Sequence, residues 1–166
     1  MTSQRIARLR DKLLARGQPT LQPGAPPPIT PELSALEERV RPFAEVMYLV
    51  LSADARVTEP ERDVLRGALR SLTEGALSSA AMEVMLRDFE QNFAREGLEL
   101  RLDYLASTLY ADRPDARLAL GLATAAAEAD RGIGPAERSV IRAFGERLGI
   151  EEVELEELLR PDAAAQ

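Results

Sequence analysis

With no His and no Cys among its 166 residues, this chain has only oxygen donors to do chemistry with, and they fall into a pattern. Asp54 and Glu61 in ADARVTEPER, residues 53 to 62, are answered by Asp130 and Glu137 in EADRGIGPAER, residues 128 to 138. The offset is constant, since 130 − 54 = 76 and 137 − 61 = 76. An Asp, an aliphatic residue three later (Val57, Ile133) and a Glu seven later reproduce the second half of an EF-hand calcium loop, whose terminal Glu binds in a bidentate way. Two such half loops side by side would offer Asp54, Glu61, Asp130 and Glu137 to one cation, with Glu128 as a fifth carboxylate. An all-oxygen set favours Ca or Mg over transition metals. Against this, Ala55 and Arg131 follow the two Asp residues where a sharp turn wants Gly, and Arg56 adds positive charge.

The same residues have a reading that needs no ligand. Thr58 and Glu61 form a T-x-x-E capping box, in which the hydroxyl and the Glu each satisfy a backbone N–H at a helix start. Gly134, Pro135 and Glu137 fill the corresponding N-cap, N1 and N3 positions of the second copy. Asp54 and Asp130 are placed to accept turn N–H groups, while Val57 and Ile133 plug each loop into the core. A cap of this kind stabilises a helix by about 1 kcal/mol.

Composition narrows the function further. Without His or Cys there is no thiol nucleophile, no Ser-His or Cys-His arrangement and no usual zinc set, so the chain is expected not to be an enzyme. A carboxylate-metal hydrolase is disfavoured by the lack of E-x-x-H and of a P-loop lysine. Net charge −7 and a pI near 4.8 would repel a phosphate backbone, which argues against nucleic acid as a partner. No apolar run reaches the roughly 20 residues that span a bilayer, and the start of the chain lacks a signal-like apolar core. A cytoplasmic location, peripheral to the inner membrane at most, is the expectation.

The elements that must position these loops can be read from periodicity and punctuation. Residues 1–16 carry Arg5, Arg8, Arg10, Lys12 and Arg16 against Asp11, with Ile6, Leu9, Leu13 and Leu14 at helical spacing. This is a basic amphipathic helix, suited to resting on the acidic body, to a protein partner or to an anionic membrane surface. Residues 17–29 form a Pro-rich linker, and Thr30-Pro31 then reads as an N-cap with Pro at N1. From 30 to 160 the stripes are helical throughout, and 161–166 is a tail. Pro42 marks a break between the Leu33, Leu36, Val40 stripe and the Phe43, Met47, Val50 stripe. Gly75 and Gly149 read as stops, and Asp112 with Pro114 opens a further helix. The glutamates from 151 to 157 read as acids favoured at a helix start, with a solvated face beyond. No segment alternates with period two, so the expected fold is all-α. It is a compact bundle of about seven or eight helices, made of two pseudo-symmetric helix-loop-helix halves.

The pattern A-D-x-x-[IV]-x-x-x-E-R, preceded by an Ala-rich helix and followed by an amphipathic helix ending in R-L-G-I, resembles the TerB-like family of bacterial tellurite-resistance and stress-response proteins. The domain also occurs at the front of some membrane-anchored J-domain co-chaperones. The fullest match is AAAEADRGIGPAERSVIRAFGERLGI, with a weaker copy at 46 to 72, and the likeness spans 30 to 160. It implies a nonenzymatic bundle of two similar halves, an acidic surface regarded as a cation site, and an adaptor role toward a protein partner.

Overall fold

Thr30 opens the ordered body by accepting the Leu33 N–H on its hydroxyl at 3.3 Å, with Pro31 at the first helical position. In this computed structural model residues 30–54, 56–129 and 132–160 are described; the basic segment 1–16, the linker 17–29 and the tail 161–166 lie outside them. Helix α1, Pro31–Leu51, runs unbroken through Pro42. A proline inside a helix forfeits one backbone hydrogen bond and crowds the preceding turn. Here every residue from Phe43 to Leu51 is buried, so packing along that length holds the helix together where the expectation was a break.

A 3₁₀ turn, Ser52–Asp54, leads out of α1. Helix α2, Glu59–Leu72, ends as Thr73 bonds back to the Leu69 carbonyl and Gly75 at φ 78° donates to the Arg70 carbonyl at 2.8 Å. Helix α3, Ser79–Leu109, starts at Ser78, whose hydroxyl accepts the Ala81 N–H at 3.1 Å. Helix α4, Arg113–Glu128, is capped by Asp112 accepting from the Asp115 N–H at 3.0 Å. Helices α5, Pro135–Arg147, and α6, Glu152–Leu158, follow. The described residues thus hold six α-helices and no strand, fewer helices than the seven or eight expected. Two reasons account for the difference. Pro42 divides nothing, and the stripes Met82 to Phe93 and Leu98 to Leu109 share α3, interrupted only by the non-helical backbone of Gly97.

At the centre α1 packs most extensively on α4, and nearly every residue of α4 from Asp115 to Ala127 is buried. A helix apolar on all sides belongs in the middle of a core. Small residues dominate α4 (Ala116, Ala119, Ala123, Ala125, Ala126, Ala127), which lets the larger Phe43, Met47 and Leu49 of α1 share that core. Each central helix packs on the helix after its loop, α1 on α2 and α4 on α5; each also touches the other's follower. No helix among the described residues is long and apolar enough to cross a membrane.

Two arginines at matching repeat positions tie the periphery down. Arg66 on α2 reaches Glu83 of α3 through its Nε at 2.6 Å, and Arg142 on α5 binds Glu152 and Glu156 of α6. Arg117 of α4 holds Glu154. Glu152 and Glu154 stand in the first turn of α6 as expected, and with Glu156 they also pair with Arg142 and Arg117 to hold this short last helix.

Candidate functional site

The two loops adopt matching backbones at their helix starts. Thr58 has φ −77° and ψ 164°, and Gly134, 76 residues later, has φ −71° and ψ 167°. Glu61 Oε2 accepts the Thr58 N–H at 2.6 Å and the Thr58 hydroxyl at 2.8 Å. Glu137 Oε2 accepts the Gly134 N–H at 2.7 Å. Both carboxylates therefore bend back on their own N-caps, as the capping reading requires. In the second loop Gly132 takes φ 82°, so the left-handed residue sits two after the repeated Asp position rather than directly behind it. Val57 and Ile133 are half-buried and pack against the core from equivalent places.

The remaining candidate ligands are Asp54, Glu128 and Asp130. Asp54 ends the 3₁₀ turn as an exposed carboxylate, and among the described residues it accepts no turn N–H. Glu128 is half-buried at the last turn of α4, and Asp130 lies outside the described residues. Among the described residues no three His, Cys, Asp or Glu side chains stand together as a metal set. The turn carrying Asp54 does pack against α5, the helix that carries Glu137.

Two features were missed by the reading of residue types. Glu45 is buried in α1 and receives the Arg101 guanidinium of α3 through two bonds, Nε to Oε1 at 2.8 Å and Nη2 to Oε2 at 2.9 Å. The third nitrogen, Nη1, bonds Glu96 Oε2 at 2.9 Å. Burial pushes the Glu45 carboxyl above the ordinary range, against the pull of Arg101. Burial would also lower Arg101, but the hydrogen bonds and charges of Glu96 and Glu45 raise it instead. A lone acid within FAEVMYLVL was the available signal, since an unpaired carboxylate does not sit in such a stripe.

The second feature is a surface on the last turns of α3. Leu100 and Tyr104 are 60% and 55% exposed, and Tyr110 just beyond is 58% exposed, in a chain with three Tyr and four Phe in all. Tyr104 lies over the Arg101 guanidinium, 4.5 Å from the ring centre. Tyr110 borders a shallow depression of about 230 Å³ with Asp103, Ala106, Ser107 and Arg147. Arg147 is held there by Asp103 at 2.6 Å and by Glu99. The same stretch of α3 turns Leu102, Leu105 and Leu109 into the core while Leu100 and Tyr104 stay exposed.

Among the described residues the arrangement is all-helical, with capped helix starts at Thr58 and Gly134 and exposed Tyr104 and Tyr110. No protein-family model, curated protein or solved structure matches it.

Proposed function

We propose that the chain is a nonenzymatic helical interaction module of the TerB-like kind, built from two pseudo-symmetric halves and serving as an adaptor in a bacterial stress response. The observation that carries the reading is the exposed Leu100, Tyr104 and Tyr110 surface beside the depression lined by Asp103, Ser107 and Arg147. Large aromatics exposed on rigid helix and stiffened by a stacked guanidinium are the residue types that anchor protein interfaces. The equal backbone angles of Thr58 and Gly134 support the two-half architecture, as do the matching duties of Arg66 and Arg142. On this reading the body is cytoplasmic, and the basic segment 1–16 on its proline-rich tether adds a second contact, to the partner or to anionic lipid.

Photo-crosslinking tests the interface. A photoreactive residue placed at 104 in cells should give one discrete adduct that Leu100→Glu suppresses. The same probe at exposed Arg70 should give none. Equal labelling from both positions would remove the aromatic face as the binding surface.

A divalent-cation sensor is the second reading, favoured by the packing of the Asp54 turn on α5. Asp54, Glu61, Glu128, Asp130 and Glu137 would supply its oxygens. A ligand that binds only the folded state raises its melting point, so millimolar Ca or Mg should shift the transition upward and EDTA should reverse it. Glu61→Gln with Glu137→Gln keeps both caps, because Gln also accepts the N-cap N–H, yet it should abolish the shift. An unchanged midpoint with either ion leaves the glutamates as caps alone.

A further inference from the structure

Gly97 sits in α3 at φ 79° and ψ 172°, a backbone region open essentially to Gly alone, with regular helix on both sides. A Cβ there would meet nothing within 4 Å, so no close packing demands the glycine and only the bend does. The bend divides the ion pairs of the molecule. On its N-terminal side Arg41 binds Asp88, Arg62 binds Glu90 and Arg66 binds Glu83. On its C-terminal side Arg147 binds Asp103 and Glu99, Arg117 binds Glu154, and Arg142 binds Glu152 and Glu156. Arg39–Asp115, Glu45–Arg101 and Glu96–Arg101 are ion pairs that cross Gly97. Each side thus carries ion pairs of its own, and the most extensive packing between the sides is α1 on α4, joined by α1 and the Ser52–Asp54 turn on α5 and by α2 on α4.

We propose that Gly97 is a hinge through which two copies of this chain exchange halves, residues 30–96 of one copy packing on residues 98–160 of the other. With Gly97 in helical conformation, residues 79–109 form one straight rod of about 46 Å, at 1.5 Å per residue, and the two halves of a chain are held apart. The long-range contacts that cross the hinge, the α1–α4 core and the Glu45–Arg101 pair included, are then made between chains instead of within one. Because the contacts are the same, the hinge conformation and the protein concentration decide between the two forms. Glycine at 97 permits the sharp bend and so favours the closed single chain. This inference does not depend on the aromatic interface or on a bound cation.

Gly97→Ala penalises the bend and favours continuous helix. Refolded at high concentration, that variant should elute with twice the 18.2 kDa mass of the chain by light scattering. A monomer that melts as the wild type does would overturn the hinge. A second experiment covers a variant that fails to refold. Glu45→Arg and Arg101→Glu each place like charges together within one chain, but in an exchanged pair Arg at 45 of one copy meets Glu at 101 of the other. The remaining halves restore the natural Glu45–Arg101 contact. Co-refolding the two variants should yield a folded mixed dimer that neither gives alone; a mixture behaving as the sum of its parts refutes the exchange.

Discussion

Arg101 closes on Glu45 in a fork, the two side chains retaining 9% and 4% of their exposure, and this buried ion pair joins α1 to the far side of the Gly97 bend. Desolvating two charges is costly, and their mutual attraction offsets that cost only while both are present. Arg101→Met, which leaves the buried Glu45 carboxyl without its counter-charge, should therefore destabilise the fold by about 3–5 kcal/mol in urea titration. The apolar pair Glu45→Leu with Arg101→Leu should be neutral or up to about 4 kcal/mol more stable than wild type. A double variant as unstable as the single one would show that the pair contributes more than charge compensation.

The pH dependence should have two opposing components. Hydrogen bonds from Arg66, Arg101 and Arg117 hold Glu83, Glu96 and Glu154 below the ordinary carboxylate range. A lowered folded value gives stability that is present above the unfolded value, about 4.3, and is lost as pH falls through the folded one. Glu45 runs the other way. Its raised value makes a contribution that is complete below the unfolded value and is lost as pH rises through the folded one. Unfolding midpoints measured from about pH 2 to 7 should thus lose part of their acid sensitivity in Arg66→Met. In Glu45→Gln the same curve should rise more steeply above about pH 4.3 than it does in wild type.

Two glycines inside helices should answer the same substitution with opposite sign. A Cβ on Gly145 would stand 2.3 Å from Leu155 Cδ2 and 3.2 Å from its Cγ, and Leu155 is fully buried with no room to turn aside. That contact is how α6 seats on α5. Gly145→Ala gains about 1 kcal/mol of helix propensity but incurs overpacking of about 1–3 kcal/mol, so it should lower the melting temperature. Gly67, exposed in α2 with open space around it, should give a gain of about 0.4–1 kcal/mol as Ala. Thermal melts of the two variants check both; a stabilised Gly145→Ala would mean that α6 is not seated through Leu155.

Helix starts were legible wherever the capping chemistry is local. Thr30, Thr58, Asp112 and the Gly134-to-Glu137 start all stand where their residue types placed them, as do the stops at Gly75 and Gly149. Each depends on atoms three or four residues apart, so no tertiary information is needed. Pro42 reversed the expectation drawn from such local rules, and the bend falls at Gly97 instead. The proline lies in α1 just before a fully buried run, Phe43 to Leu51, and is carried through, while a glycine with free space around it takes the bend. Propensity differences of about 1–3 kcal/mol yield to the burial of a whole apolar face.

The candidate site divides along the same line. Glu61 and Glu137 were identifiable as caps because their partners are three residues away. Glu45 and Arg101 are 56 residues apart, and nothing in the spacing of either could reveal the other.

By itself the sequence determined the helical class, the repeated loops and where most helices begin and end, because these follow from hydrogen bonds and periodicities within one or two turns. Only the tertiary structure decided that Pro42 is spanned and Gly97 bent, that Arg101 is buried against Glu45, and that Leu100, Tyr104 and Tyr110 face solvent. Those outcomes depend on which surfaces the packed helices cover, and that is settled by summing contacts across the whole core.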